Sequence, residues 1–440
     1  MILPRGWENA TIGDVADTVL GKMLDAAKNK GEMVPYLRNI NVRWGGFDLS
    51  DLEEMRVTSD ELGALSVRDG DLFVCEGGEP GRSAIWRGGN QRVIFQKALH
   101  RLRAMPGVEP EFIAKHIAFS AATGAFSDLL TGTTIRHLTQ VAIKRVELPL
   151  PPTAEQRRIV AKLDALTARI ARARAELDRV PVLAASLRQT SLRDAFAWNA
   201  ETLPDGWEWK RIDEIGAVQL GRQRSPKDHQ GPHMRPYMRA ANITWSGWDL
   251  SDVKEMNFSP DEFEVFSLRD GDVLLNEGSG SAKEVGKPAV WRGEVEGACF
   301  QNTLLRVRPD GYLPDLLRYA LLYTALSGQF IANTKGVNII HIGKGGLSKS
   351  KVPVPPIDQQ TALLQQIDRA FVRADRLETE AARARKLFDR LEAAILAKAF
   401  RGELVPQDPN DEPASVLLER IRAERASAPK GKRTRRSASS

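Results

Sequence analysis

The chain has 440 residues, 42% of them hydrophobic and 27% charged, with a formal net charge of +6. That length suits two or three cored domains, and with no run of about 18 apolar residues no membrane-spanning helix is expected. The basic balance suits a polyanionic partner without establishing one. Met1-Ile2-Leu3-Pro4-Arg5 lacks the apolar stretch of a secretory signal. Cys75 and Cys299 occupy non-equivalent places, and two buried thiols in a reducing cytosol is the simplest reading. A cytoplasmic location is therefore expected.

In chain order, the opening Leu3-Pro4-Arg5-Gly6-Trp7-Glu8 returns about 200 residues later as Leu203-Pro204-Asp205-Gly206-Trp207-Glu208. Pro35-Tyr36-Leu37-Arg38 returns as Pro236-Tyr237-Met238-Arg239, and Ser66-Val67-Arg68-Asp69-Gly70-Asp71 as Ser267-Leu268-Arg269-Asp270-Gly271-Asp272. Phe95-Gln96 matches Phe300-Gln301, and Leu148-Pro149-Leu150-Pro151-Pro152 matches Val352-Pro353-Val354-Pro355-Pro356. Two copies of this length are whole domains, not solenoid units. Within each, Asp71–Cys75 and Asp272–Leu275 are predicted as strands after an Asp-Gly turn, Ala84–Gly88 and Ala289–Gly293 as a second strand with its turn, and Val93–Arg103 as a third. Pro110–Leu130 and Pro314–Ile331 are predicted as helices opened by proline. Each globular part is thus mixed, strands with a helical segment packed on them.

A long helix follows each copy. After Pro152, Thr153 with Gln156 three positions on reads as a capping box. Ile159, Leu163, Leu166, Ile170, Ala173, Leu177 and Val180 then recur at alternating four- and three-residue steps, a heptad seam. The helix resumes after Pro181, which should break or kink it, and runs to Trp198. The second copy has no such proline, and its equivalent seam is Leu363, Ile367, Ala370, Ala374, Leu377, Ala381 and Ala384. A seam of large residues and one of small residues suit each other as an antiparallel pair. The alternative is a helix lying on its own domain, but about 45 residues at 1.5 Å each reach about 65–70 Å, longer than one domain is wide. The expected organisation is a globular domain 1–152, a helix 153–199, a second globular domain 200–356, a helix 357–404, and a tail 405–440. In that tail Ser415–Ala426 could form a short amphipathic helix, and Lys430–Ser440 reads as disordered, a solubilising tail before a phosphate contact.

Catalytic signatures are missing. The Pro-Pro pairs are followed by Thr153 and Ile357, so no Asn/Asp-Pro-Pro-aromatic methylase motif is present. Gly343-Lys344-Gly345-Gly346-Leu347-Ser348-Lys349-Ser350 looks like a phosphate loop but lacks the glycine before Lys349, and its counterpart Thr139–Val146 has nothing similar. His229 and His233 flank Gly231-Pro232 and have no nearby cysteine, so no metal site is expected. Loops mixing amides, cations and aromatics remain. Arg38, Asn41, Arg43 and Trp44 are matched by Arg239, Asn242, Thr244 and Trp245, and arginine and asparagine are the side chains that read guanine and adenine edges. Gln96 and Lys97 are matched by Gln301 and Asn302, and Thr133, Thr134, Arg136 and His137 by a segment holding Asn338 and His341. Arg82, Lys283, Lys287 and Lys344 complete the candidate DNA-binding set. For His137 and His341 a buried histidine bonded to backbone is the alternative, and Trp44 and Trp245 fit a core better than a stacking platform.

Taken together, the repeated Leu-Pro-x-Gly-Trp-Glu, the segment Gly132-Thr133-Thr134-Ile135-Arg136-His137-Leu138, the run Leu148–Ile159 and the C-terminal Ile395-Leu396-Ala397-Lys398-Ala399-Phe400-Arg401-Gly402-Glu403-Leu404 resemble the specificity subunit of a type I DNA restriction–modification system. The second copy departs from Gly-Thr-Thr with Gly336-Val337-Asn338. The resemblance implies an α+β fold, with two mixed α/β target-recognition domains separated by two long helices in an antiparallel coiled coil with pseudo-two-fold symmetry. The seam would be Ile159, Leu163, Leu166, Ile170 and Leu177 against Leu363, Ile367 and Leu377. It implies double-stranded DNA as partner, each domain reading half of a split asymmetric site. It also implies two methyltransferase subunits and ATP-driven restriction/translocase subunits. S-adenosylmethionine, ATP and Mg belong to those partners, and this chain binds no cofactor or metal and performs no catalysis. A fused restriction enzyme and a structural coiled-coil adaptor without DNA binding are the alternatives.

Overall fold

The structure is a computed structural model that describes residues 3–25, 27–89, 91–131, 136–199, 202–279, 284–332 and 340–427. The chain divides into two compact units, residues 1–176 with 384–440, and residues 177–383. The units cut both long helices instead of setting them apart, so each unit holds one globular part and a portion of each helix.

In the first unit the central sheet has four antiparallel strands in the order Ala16–Leu20, Leu99–Ala104, Leu72–Cys75, Ser83–Ile85. A three-stranded sheet places Glu32–Leu37 between antiparallel Glu53–Val57 and parallel Ile94–Phe95. The predicted single strand Val93–Arg103 is therefore two strands in different sheets. The chain turns between them because Gly21 lets the neighbouring backbone approach so closely that a Cβ there would lie 2.2 Å from the Gln96 carbonyl oxygen. Strand Glu8–Thr11 pairs antiparallel with Glu147–Leu150, which brings the start and end of the domain together. The second unit repeats this plan with Gly216–Leu220, Leu304–Pro309, Val273–Asn276 and Pro288–Val290 in the same order. Its closing pair is Glu208–Arg211 with Lys351–Val354.

The Asp-Gly-Asp motif is framework. Gly70 and Gly271 have φ of 87° and 84°, a conformation glycine adopts without a Cβ penalty. The turn then buries the second aspartate, Asp71 at 1% exposure and Asp272 at 0%. Both oxygens of Asp71 accept from Arg103, each at 2.7 Å, and Asp272 does the same with Arg308 at 2.7 and 2.8 Å. Two residues back along the strand, buried Arg101 and Arg306 donate to the carbonyls of Ser66 and Ser267. Burial pushes both guanidinium groups down, Arg306 to about 10.

The predicted helices end early. Pro110–Ala122 and Pro314–Leu326 stop before Gly124 and Gly328, both at positive φ. A short 3-10 turn at Ser127–Leu129 and a short helix at Gln329–Ala332 follow. The central long helix spans Thr153–Asp178, and its continuation Val180–Phe196 carries Pro181 in its first turn. Pro181 therefore interrupts the helix for a single residue, Arg179, whose backbone stays in the helical region. The C-terminal long helix runs unbroken over Ile357–Phe400. A terminal helix, Ala414–Ser427, lies within the expected tail. Its Ala414, Leu417, Leu418 and Ile421 join the first unit's core.

The seam residues divide by location. Ile159 and Leu163 belong to the first unit's core with Phe112, Ile117, Leu148, Ala399 and Phe400. Ile367 belongs to the second unit's core with Leu192, Phe196, Leu317 and Val352, and Leu363 packs against that core. Ile170 is buried, Leu166 and Leu177 are half-buried, and Leu377 is exposed. The small residues Ala374 and Ala381 are buried. The ends of the helices are thus parts of domain cores, and Leu377 is corrected from seam to surface.

Gln156 does not close a capping box. Thr153 donates to the Gly107 carbonyl at 2.6 Å. The Gln156 Oε1 accepts from the Glu109 N–H at 2.9 Å and its Nε2 donates to the Pro151 carbonyl at 3.0 Å, with the side chain fully buried. Gln360 repeats this with Leu313, at 2.7 Å, and Pro355, at 3.1 Å. Each glutamine fastens the first turn of its helix to its domain. Truncation leaves a buried donor and acceptor unpaired, so Gln156→Ala is expected to lower unfolding free energy by about 2–3 kcal/mol. Urea unfolding checks this, and a loss below about 0.5 kcal/mol, the level of an ordinary surface change, would contradict the role.

Candidate nucleic-acid interface

The loop expected to read bases begins with a 3-10 turn, Asn39–Asn41, and a hairpin of Val42–Arg43 with Gly46–Phe47. Asn41 is 2% exposed. Its Oδ1 accepts from the Arg38 N–H at 2.8 Å and its Nδ2 donates to the carbonyls of Asp48, at 2.9 Å, and Asp51, at 3.0 Å. Arg38 donates from Nη2 to Asp51 Oδ2 at 2.6 Å and from Nη1 to Glu53, and the Asp51 hydrogen bond raises its already high pKa. In the second unit Asn242 bonds Arg239, Asp249 and Asp252 in the same way, and Arg239 pairs with Asp252. The expectation that these four side chains read base edges is corrected. The two amides are buried and fully bonded to loop backbone, and the arginine tips are paired with carboxylates beside the loop, while the Nε of each arginine is buried without a partner.

At the hairpin tip the outcome reverses. Trp44 and Trp245, expected in a core, are 45% and 38% exposed. The Trp44 indole donates to Glu79 Oε1 at 2.7 Å, and Glu79 Oε2 accepts from Arg82 at 3.1 Å. Arg82 also donates to the Asn39 carbonyl at 2.9 Å. In the second unit Lys287 pairs with Glu284 and sits 5.9 Å from the Trp245 ring centroid. Arg82 and Lys287 are mostly covered, so they brace an exposed indole and are corrected from direct DNA contacts. Arg43 is exposed, its nearest carboxylate Asp48 at 3.5 Å. Thr244 turns inward, its hydroxyl donating to Gly247 at 2.9 Å.

Glu76 and Glu277 tie the other loops to this tip, and the sequence reading missed them. The Glu76 N–H donates to the Ala98 carbonyl, beside Gln96 and Lys97, at 2.9 Å, and its carbonyl accepts from Leu138, beside Arg136 and His137, at 2.7 Å. Glu277 makes the same two links to Thr303 and Ile342 at 2.9 and 2.8 Å. The aligned Glu-Gly after each strand was the available signal. The Gln96 and Gln301 backbones are held by Leu37 and Met238, both at 2.9 Å. Their side chains and that of Asn302 are half-buried, whereas Lys97, Arg136 and Lys344 are exposed.

The rings of His137 and His341 are exposed, so neither is the buried histidine. His341 Nδ1 lies 2.7 Å from Glu277 Oε2. The buried ones are His100, bonded to the Leu138 carbonyl at 2.7 Å, and His116, pushed down to about 4 by burial. Thr133, Thr134, Lys283 and Asn338 lie outside the described residues. Among the described residues no cluster of three or more His, Cys, Asp or Glu side chains could hold a metal ion. None of their helices is long and apolar enough to cross a membrane. Gly343–Lys349, read as phosphate-loop-like, is a short helix matched by Gln140–Lys144 in the first unit.

Comparison with known proteins matches the type I restriction modification DNA specificity domain twice, at residues 4–180 and 204–381. The chain belongs to that family. It is 26% identical to the EcoKI specificity subunit of Escherichia coli K12, over 97% of both chains. It is 25% identical to the StySPI specificity subunit of Salmonella potsdam, over 99% of this chain and 98% of that one. The crystal structure of the HsdS subunit from Thermoanaerobacter tengcongensis has a similar fold, with a TM-score of 0.66 at 24% identity, covering 92% of this chain and 99% of that one. In this specificity domain the paired amides and the exposed cations separate by stability. Asn41→Ala is expected to cost about 1–3 kcal/mol, because three loop backbone groups lose their partner. Lys97→Ala and Arg136→Ala are expected to stay within about 0.5 kcal/mol. Thermal or urea unfolding of the three variants measures the difference, and equal losses would contradict the division.

Proposed function

We propose that this chain is the DNA-recognition subunit of a type I restriction–modification complex, each globular domain reading one half of a split, asymmetric site. The observation that carries the reading is the duplicated loop cluster. Each unit presents an exposed tryptophan on a braced hairpin, with a Glu-Gly loop and a histidine segment fastened beside it. The cores around the clusters are alike, but the side chains at matched loop positions differ, exposed Arg43 against half-buried Thr244 and exposed Lys97 against half-buried Asn302. Two similar scaffolds with different tips suit two different half-sites.

Arg43, Lys97, Arg136 and Lys344 supply the cations that attract and position the phosphate backbone. Trp44 and Trp245 supply planar surfaces for a sugar or an unstacked base. Direct readout falls to the amides and hydroxyls beside them, since phosphate contacts carry no sequence information. The C-terminal long helix has its start in the core of one reader and its end in the core of the other, which suits it to fixing the gap between half-sites. Methyl transfer and cleavage are assigned to two methyltransferase subunits and to restriction/translocase subunits, which would carry S-adenosylmethionine, ATP and Mg. The adenine to be methylated must leave the stack to reach such a partner's site, so holding the duplex at both ends is a useful task for a non-catalytic subunit.

Two outcomes are expected. Purified chain with labelled S-adenosylmethionine and unmodified DNA transfers no label, while addition of the methyltransferase subunits restores transfer. Label transferred by the chain alone would overturn the non-catalytic assignment. Replacing residues 1–152 with the equivalent segment of a relative changes one half of the methylated motif and leaves the other. A change in both halves would overturn independent reading.

A further inference from the structure

The two long helices are copies related by a shift of 204 positions, since Ile159, Leu163 and Ile170 correspond to Leu363, Ile367 and Ala374. Copies of one helix ought to pair with themselves as readily as with each other. In the first unit, Arg174 of the central helix donates to Asp389 at 2.7 Å and lies 2.9 Å from Glu392. In the second unit, Arg188 of the continuation donates to Asp375 at 2.5 Å and to Glu378 at 2.7 Å. The neighbouring Glu378 carboxyl is held below its usual range by that arginine.

The shift turns these pairs into a code. Arg174 corresponds to Glu378 and Arg188 to Glu392, while Asp375 and Asp389 correspond to Ala171 and Ala185. An antiparallel pair of two central helices would therefore set Arg174 against Arg188 of the second copy, twice. A pair of two C-terminal helices would set Glu378 against Glu392, twice, with Asp375 and Asp389 close by. Only the mixed pair brings cation to carboxylate at both places. We propose that this charge arrangement is what makes the first half of the chain reject a second copy of itself and accept the second half. Any particle then carries one of each globular domain, never two alike.

Each contact is partly exposed, and a single exposed ion pair is weak. Specificity, however, is a difference between arrangements, and like charges placed opposite each other add repulsion to the lost attraction. The large and small seam residues do not make the same distinction by themselves. Ile159, Leu163 and Ile367 are committed to domain cores, and Leu377 is exposed.

The test uses the whole folded chain with a protease site introduced in the 199–203 connection, where Asn199 and Thr202 are exposed. After cleavage, native mass spectrometry counts mixed and self-paired complexes. Exchange is verified by the passage of an isotopically heavy first half into unlabelled complexes, with temperature raised until it occurs. The unaltered sequence is expected to give mixed complexes only. The triple variant R174E/D389A/E392R keeps a matched mixed pair but also matches Glu to Arg in both self-pairs. It should drift towards the statistical mixture, in which about half of the complexes are mixed. The corresponding R188E/D375A/E378R should behave alike and serves if the first does not fold. Combining both triples reverses the whole arrangement and should restore mixed complexes only. Self-paired complexes from the unaltered sequence, or mixed complexes only from both triples once exchange is verified, would overturn the proposal.

Discussion

Two buried glutamines fix what the rest of the molecule depends on. A helix that leaves a domain through a Pro-Pro step would swivel unless its first turn were held. Gln156 and Gln360 hold it, each accepting from a backbone N–H of the domain and donating back to the carbonyl of the first proline of the step. Such groups are costly to bury unpaired and well defined when paired, so the direction of each helix is set by its own domain. In the first unit the neighbouring Glu155 adds a second tie. Its Oε2 accepts from the Trp7 indole at 3.0 Å, and burial pushes its carboxyl above the usual range. The second unit uses neutral Gln359 with Trp207 at 2.9 Å, in a more exposed place.

The polar residues of each unit divide into two groups with different work. Arg38, Asn41, Arg239 and Asn242 spend their hydrogen bonds inside the loop, as Asp71 with Arg103 and Asp272 with Arg308 do inside the sheet. They give the loops one shape. Arg43, Lys97, Arg136 and Lys344 remain at the surface with few or weak bonds. A site that must hold a duplex needs both, because a cation on a loose loop loses more freedom when it binds.

Much of this was legible in the sequence. The repeat located both units, the Asp-Gly turn located the buried acid, and the four- and three-residue steps located the helices. What failed did so for physical reasons. The chemistry that lets arginine and asparagine read bases also caps loops, and nothing local separates the two uses. Average tendency puts Trp44 and Trp245 in a core, and only the Glu79 and Lys287 neighbours, 35 and 42 positions away in sequence, explain an exposed indole. Alternation runs through Val93–Arg103 without showing the turn, whose signal is Gly21, just past the end of strand Ala16–Leu20. The terminal helix Ala414–Ser427 had been visible as a possibility. Its burial on the first unit, with Arg425 donating to the Gly13 carbonyl at 2.7 Å, rests on contacts about 400 residues apart in sequence, which no local pattern reports.

Two different readers acting as one recognition unit leave a definite mark on DNA. It can be read by modification mapping, single-molecule sequencing of a genome exposed to this chain together with the methyltransferase subunits proposed for it. One asymmetric motif in two parts, separated by an unread gap of constant length, is expected. A continuous motif, or a palindrome built from one half repeated, would contradict it.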